Sequence, residues 1–179
     1  GVVMDGTAPE HVRDAAAVMS TYCDALAIRP KPAGKAWEVD RRDEGIRAWA
    51  SNSQVPVINM ESALWHPLQV LADLLTLRET FGKDIKGRRL AIVWTPSPTP
   101  AGPAVVHSLL HAALRAGANV SLAHPAGYEL DGGVLSEARQ IAAEAETSFE
   151  EVSSADAAAR GADVIYARSW GALESYGQP

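Results

Sequence analysis

Short apolar runs alternate with amphipathic segments along this chain of 179 residues. A continuous apolar run of about four to eight residues is typical of a strand in a parallel sheet, and apolar positions three and four apart are typical of a helix. The predicted strands are residues 24–28, 55–60, 90–94, 119–123, 148–152 and 163–166. The predicted helices are residues 8–21, 39–50, 67–81, 103–116, 134–145 and 154–160. The alternation predicts an α/β protein with parallel sheets and helices on both faces.

A short, charged segment bounded by glycines divides this alternation into two parts. Residues 82–89 read GKDIKGRR, and the strand–helix pattern restarts directly after them. Such segments are typical of domain boundaries. The sequence therefore predicts two three-layer α/β/α units with parallel sheets, residues 1–82 and 83–179, the first of them incomplete.

Helix ends can also be predicted. Thr7 followed by Pro9 and Glu10 is typical of a helix start, so a cap is expected at Thr7. In the predicted helix 39–50, Ile46 and Trp49 are expected to face inward. Its charged residues are expected on a solvated face: Arg41, Arg42, Asp43 and Arg47.

The strongest candidate for chemistry is the segment ESALWHPLQ, residues 61–69, which joins a predicted strand to a strongly apolar helix. Pro67 suits the first helical position, and His66 and Gln69 share one helix face. Together with the free N–H groups and positive end of the helix, they form a plausible site for a phosphate or a polarised carbonyl. Alternatively, His66 is an N-cap and Gln69 a solvated side chain.

Two further features bear on ligands. Arg29 follows a predicted strand, at the sheet edge where open α/β proteins bind ligands, although a surface arginine is the common alternative. Residues 94–103 (WTPSPTPAGP) follow the first strand of the second unit, where a dinucleotide-binding protein would carry glycines. Prolines lack the N–H donors that a phosphate needs, so NAD binding is not expected. No other cofactor is expected either.

His107 and His111 lie four apart on a predicted helix and could form a metal pair. Neither has a third ligand near it in the sequence, and the helix is otherwise apolar, so structural histidines are favoured and no metal is expected.

Composition excludes several classes of protein. The formal net charge of −6 gives no electrostatic footprint for nucleic acid, and no apolar run approaches the ~20 residues that span a membrane. The single cysteine, Cys23, excludes an internal disulfide framework. No signal-peptide pattern is present at the start, so a cytoplasmic location is expected.

The segment Glu61…His66-Pro67-x-Gln69 resembles the H-P-x-Q helix of the aspartate/ornithine carbamoyltransferase superfamily. The preceding residues, VINME, resemble its N-acetylornithine carbamoyltransferase branch. Residues 94–100 (WTPSPTP) are similar to the proline-rich loop of the knotted acetylornithine and succinylornithine enzymes, and residues 162–173 (ADVIYARSWGAL) to a segment of the same enzymes.

The resemblance implies carbamoyl transfer from carbamoyl phosphate to the side-chain amine of N-acetyl-L-ornithine, in arginine biosynthesis. It implies that Arg29, His66 and Gln69 bind carbamoyl phosphate and that His66 donates to the carbonyl oxygen as the catalytic residue. It also implies that Glu61 binds the acylated amino acid. Arg168 stands where the family has a lysine that contacts this substrate. N-Succinylornithine, ornithine or another amine is the alternative acceptor.

This chain departs from the family pattern in several places. The connection from Glu61 to His66 is one residue longer, and Ser97 stands where some members have a histidine. The early S-T/M-R-T phosphate loop and the late H-C-L-P segment are absent from the sequence.

We therefore expect residues 1–82 to be the rear part of a carbamoyl-phosphate domain and residues 83–179 the front part of an amino-acid domain, within a longer homotrimeric enzyme. This stretch alone should turn over weakly or not at all. A non-catalytic binding or assembly module is the competing interpretation.

Overall fold

The computed structural model describes residues 11–30, 32–82 and 84–178. Within this part of the chain, helices and strands alternate as the pattern predicts. The helices are α1 (Val12–Met19), α2 (Trp37–Asp40), α3 (Glu44–Asn52), α4 (Pro67–Phe81), α5 (Ala104–Arg115), α6 (Gly132–Glu144) and α7 (Ala155–Ala159). The strands are β1 (Leu26–Ile28), β2 (Val57–Asn59), β3 (Arg89–Trp94), β4 (Asn119–Ala123), β5 (Phe149–Val152) and β6 (Val164–Arg168).

The strands form two parallel sheets. β1 pairs with β2, and the other four are ordered β5-β4-β3-β6. Every pairing is parallel, so the carboxyl ends of neighbouring strands meet at one edge of each sheet. The prediction of an α/β fold with parallel sheets in two units is confirmed. The predicted cap at Thr7 lies outside the described residues.

The main core lies between the four-stranded sheet and helix α5, which also packs against α4 and α6. Because α5 has neighbours on several sides, its side chains are buried nearly all round, including Val106, Leu109, Leu110 and Leu114. Each such leucine stabilises the fold by roughly 1.5–3 kcal/mol. The opposite face of the sheet is covered more lightly, by Ala158 of α7. The rigid α5 therefore provides a platform on which loops from the first unit can rest.

The prediction of one helix over residues 39–50 was wrong. The segment divides into α2 and α3 at Asp43, whose backbone is left-handed, with φ of 52° and ψ of 36°. Asp43 was expected in solvent but is buried, and Arg41 is only partly exposed. The carboxylate of Asp43 and the guanidinium of Arg41 both have partners elsewhere in the chain. The charged residues of this segment therefore do not form a uniformly solvated face. Trp37, ahead of the predicted helix, is also buried.

The chain after β6 crosses back towards the first unit. The amide of Gly171 donates to the carbonyl of Ala101 in the proline-rich loop at 3.2 Å. Further on, the hydroxyl of Tyr176 donates to Asp40 Oδ2 at 2.9 Å, and its ring packs edge-on against Trp37. This segment joins the two units, in addition to the direct connection between α4 and β3. None of the helices in the described ranges is long and apolar enough to cross a membrane.

Candidate functional site

Arg29 and Glu61 meet because their strands are parallel neighbours. Ile28 at the end of β1 is paired with Asn59 at the end of β2, so the residues that follow both strands emerge at the same edge. The guanidinium of Arg29 forms an ion pair with Oε2 of Glu61. The Arg29 side chain is 68% exposed, whereas that of Glu61 is 31% exposed. The pair therefore has a cationic side open to solvent.

His66 is the N-cap that one of the two interpretations of the sequence predicted. Its Nδ1 accepts a hydrogen bond from the amide of Gln69 at 3.2 Å, so it does cap helix α4. Because Nδ1 is an acceptor, the proton of the neutral ring lies on Nε2. That Nε2 atom is 3.5 Å from Oε2 of Glu61, beside Arg29. The cap thus fixes the ring with a donor aimed at the sheet edge.

Gln69 and Arg168 lie along a polar path between the two units. The side-chain amide of Gln69 donates to Asp73 Oδ1 at 3.0 Å, so Gln69 is not a freely solvated side chain. Tyr166 of β6 interacts with both Asp73 and Arg168. Burial raises the pKa of Tyr166, as does the negative charge of Asp73, while Arg168 opposes the shift. Among the described residues, no hydrogen bond or ion pair joins Arg168 to Glu61 or His66, and its buried Nε has no partner.

The loop between Glu61 and His66 is held from the first unit by Asp43. The buried carboxylate of Asp43 accepts from Ser62 Oγ at 2.6 Å and from the amides of Ala63 at 3.1 Å and Leu64 at 3.3 Å. Its left-handed backbone turns the side chain towards the loop at the start of α3. An internal carboxylate therefore replaces solvent as the partner of three successive donors.

The same loop is held from the second unit by two consecutive residues of α5. Ser108 Oγ accepts from the amide of His66 at 2.8 Å. Nδ1 of His107 donates to the carbonyl of Leu64 at 3.1 Å, and its Nε2 accepts from the amide of Asp131 at 3.4 Å. Burial lowers the pKa of His107 to about 4, so its ring is neutral near pH 7.

Both histidines of α5 form hydrogen bonds with backbone carbonyls. His111 Nε2 donates to the carbonyl of Val134 at 2.9 Å, and its ring packs against Trp65 with the centroids 4.9 Å apart. The described residues contain no group of three or more His, Cys, Asp or Glu side chains that could hold a metal ion. The possible metal pair therefore has no third ligand in this part of the chain.

Asp131 links the units a second time. Its carboxylate accepts from Trp37 Nε1 at 2.8 Å and from Arg41 at 2.8 and 2.9 Å, and it caps α6 through the amides of Gly133 and Val134. Burial alone would raise the pKa of Asp131, but the hydrogen bonds from Arg41, Trp37 and Val134 outweigh it and lower the pKa. One buried carboxylate thus fixes α2 against α6.

A cavity of about 400 Å³ opens beside Arg29 and Glu61 and is also lined by Gly102, which precedes α5, and by Tyr176. A larger cavity of about 790 Å³ lies at Asp131, where the side chains of Trp37 and Arg41 are already paired. The smaller cavity is the better candidate for a ligand site, because the exposed cation Arg29 lines it.

Comparison with known protein families identifies the class to which this fold belongs. The chain belongs to the aspartate/ornithine carbamoyltransferase family, since the model of its carbamoyl-P binding domain matches residues 2–79 and that of its Asp/Orn binding domain matches residues 86–178.

Particular relatives are N-acylornithine enzymes. The chain is 41% identical over 179 residues to N-acetylornithine carbamoyltransferase of Xanthomonas campestris, covering 99% of this chain and 52% of the relative. It is 35% identical over 180 residues to N-succinylornithine carbamoyltransferase of Bacteroides fragilis, covering 99% and 52%.

A crystal structure of N-acetyl-L-ornithine transcarbamylase superposes with a TM-score of 0.91 at 41% identity, covering 99% of this chain and 55% of that one. A mutant of that enzyme, with the same TM-score and identity, covering 99% of this chain and 54% of that one, was crystallised with carbamyl phosphate and N-succinyl-L-norvaline. The chain spans about half the length of the relatives it matches, which supports the prediction that it corresponds to a portion of such an enzyme.

Sequence reasoning named the residues at the sheet edge but missed those that hold them. Asp43 was assigned to a solvated face, and Ser62, Ser108 and Asp131 were not singled out. Asp131 lies ahead of a predicted helix, where an aspartate is a common cap, and that signal could have identified it. Nothing local to residues 37–43 indicates that Arg41 reaches a residue 90 positions away in the chain.

Proposed function

We propose that this chain contributes to carbamoyl transfer from carbamoyl phosphate to the side-chain amine of N-acetyl-L-ornithine, giving N-acetylcitrulline and phosphate. The observation that carries the proposal is the meeting of Arg29, Glu61 and His66 at the start of α4. Family membership and the N-acylornithine relatives support it.

Carbamoyl transfer requires hydrogen-bond donors and cations such as those of His66 and Arg29. The amine attacks the carbonyl carbon, negative charge develops on the carbonyl oxygen, and the bond to the phosphate oxygen then breaks as the amine loses a proton. Donors on the carbonyl oxygen and cations on the phosphate stabilise such a transition state. In our proposal Nε2–H of His66 donates to the carbonyl oxygen, while Arg29 and the N-terminus of α4 hold the phosphate.

The other assignments follow from the same resemblance. Gln69 would hold the carbamoyl end of the donor, and Glu61 and Arg168 would contact the acylated amino acid. An arginine in place of lysine keeps the positive charge but offers a planar fork of donors, so this position bears on which acyl group is accepted.

We propose further that residues 1–82 belong to the carbamoyl-phosphate domain and residues 83–179 to the amino-acid domain. A homotrimer, a role in arginine biosynthesis and a cytoplasmic location complete the proposal, and they rest on the family resemblance.

Binding of three bisubstrate analogues tests the choice of acceptor. Each joins a phosphonoacetyl group to the side-chain amine of ornithine, and the analogues carry an acetyl group, a succinyl group or no group on the α-nitrogen. Calorimetry should give the tightest binding for the acetylated analogue, by about tenfold over the unacylated one, because a site built for an acyl amide leaves polar groups unpaired without it. Tightest binding of the succinylated analogue would change the acceptor, and preference for the unacylated analogue would contradict an acylated substrate.

A further inference from the structure

His107 stands at the point where three segments of the chain meet. It lies on the first turn of α5 and is fully buried. The centroid of its ring is 6.0 Å from that of Trp37 and 6.2 Å from that of Trp65. Its Nδ1 donates to the carbonyl of Leu64, in the loop between Glu61 and His66. Its Nε2 accepts from the amide of Asp131, the residue that caps α6. The ring therefore spans from the candidate site to the contact between α2 and α6.

Both hydrogen bonds define the state of the ring. A carbonyl oxygen can only accept, so Nδ1 of His107 must carry the proton that the Leu64 carbonyl receives. An amide can only donate, so Nε2 must be unprotonated to accept from Asp131. The neutral Nδ1–H form satisfies both bonds at once, and a charged ring would lose the second.

The position of the Leu64 carbonyl matters for His66. His107 holds this carbonyl, and the next residue, Ser108, holds the amide of His66. Two adjacent side chains of a rigid helix thus fix the backbone on both sides of Trp65. This fixes the direction in which the chain enters α4, and therefore where the ring of His66 lies.

We propose that His107 is a positioning residue for His66, acting through the Leu64 carbonyl. The inference rests on the proposed function only for the ligand used as probe. It assigns a role to a side chain that would otherwise count as core packing, and it makes the site of the first unit depend on a donor from the second.

Three substitutions of His107 distinguish the contribution of Nδ1 from that of Nε2. His107→Asn keeps a nitrogen donor two bonds from Cβ, where Nδ1 stood, whereas His107→Gln places its polar atoms three bonds away, where Nε2 stood. His107→Leu removes both. Leu114→Ala, in the same helix and equally buried, serves as a control that lowers stability without touching the loop.

The test combines calorimetry of the acetylated bisubstrate analogue with ¹⁵N NMR of the His66 ring. We expect His107→Leu to weaken binding about tenfold or more, His107→Asn to restore it to within about threefold, and His107→Gln to remain weak. The nitrogen signals of His66 should move in the leucine variant and return in the asparagine variant.

Unchanged affinity and unchanged His66 signals in His107→Leu would overturn the inference. So would an equal loss of affinity in Leu114→Ala at matched thermal stability, or rescue by glutamine rather than asparagine. If the unsubstituted chain binds no analogue, the His66 signals alone decide on His107, and the same titration of the full-length enzyme decides on the proposed function.

Discussion

Oε2 of Glu61 lies 3.5 Å from Nε2 of His66, and the same carboxylate is paired with Arg29. Without a ligand, an internal anion therefore occupies the two groups that we assign to carbamoyl phosphate. The contacts are partly exposed, so their net strength is modest, on the order of 0–1 kcal/mol for such a pair. In the proposed function, an anionic ligand competes with this carboxylate for Arg29 and His66.

Removing the negative charge of Glu61 should therefore strengthen the binding of simple anions. In Glu61→Gln we expect inorganic phosphate to bind about threefold more tightly, because a neutral amide competes less for Arg29. The acetylated bisubstrate analogue should lose the contact to its amino-acid portion and bind more weakly. Calorimetric titrations of both ligands measure the two effects. Glu44→Gln, an exposed glutamate 3.8 Å from Arg42, is the control and should change neither.

His66 should reveal two separable roles. His66→Ala removes both the cap and the Nε2 donor, so it should lose about 1 kcal/mol of unfolding free energy together with analogue binding. His66→Asn keeps a good N-cap but has no donor at the Nε2 position, so it should retain stability and still lose binding. Urea unfolding and calorimetry measure the two quantities. Equal stability of both variants would show that the cap does not stabilise the fold. Full binding of the analogue by the asparagine variant would contradict the role of Nε2 as a donor to the ligand.

Asp43 should be more sensitive than any other residue of the charge run. In Asp43→Ala, three loop donors lose their acceptor and alanine must adopt φ of 52°, so we expect a loss of about 2–4 kcal/mol of unfolding free energy. Asp43→Gly relieves the backbone but not the donors, and should recover about 1 kcal/mol of that loss. Urea unfolding distinguishes them. Losses no larger than that of the exposed-site control Arg42→Ala would contradict the buried network.

Stability should fall on mild acidification because of His107. Its pKa is about 4 in the folded chain against 6.5 ordinarily, so below pH 6.5 the unfolded chain binds a proton that the folded chain does not. Linkage at about 1.4 kcal/mol per pH unit then removes up to about 3 kcal/mol between pH 6.5 and 4. His111, whose pKa burial also lowers, adds to the same slope.

A matched variant isolates the contribution of His107. In His107→Asn the slope of unfolding free energy against pH should flatten between about pH 4 and 6.5, leaving the share of His111. Asp131 acts in a lower window, because its lowered pKa preserves its contribution until the pH falls below its ordinary value of 3.8. An unchanged slope in the variant, measured by urea unfolding across this range, would show that His107 is not the titrating group.

The fold could be predicted from the sequence largely because its signals are local. Apolar runs such as residues 90–94 and 119–123 and the proline at the start of α4 each indicate one element by themselves. The carboxyl ends of β1 and β2 follow from parallel pairing, so the approach of Arg29 to Glu61 could be expected once both strands were placed.

The supporting network could not be predicted in the same way. The contacts of Asp43 with the loop, of Arg41 with Asp131 and of His107 with Leu64 join residues far apart in the chain. Charge patterning assigns Asp43 and Arg41 to a solvated face, since it has no information on partners elsewhere in the chain. The left-handed backbone at Asp43 also divides the predicted helix 39–50. The amphipathic pattern of these residues is uninterrupted and does not indicate such a break.

The most direct measurement is the binding of the acetylated bisubstrate analogue to the unsubstituted chain and to His66→Asn, by calorimetry under identical conditions. We predict saturable binding to the former and a loss of at least about tenfold in the latter, with both proteins equally stable in urea. Equal affinity of the two proteins would contradict the assignment of the start of α4 as the phosphate–carbonyl site, and absence of binding in the same titration of the full-length enzyme would contradict the proposed substrate.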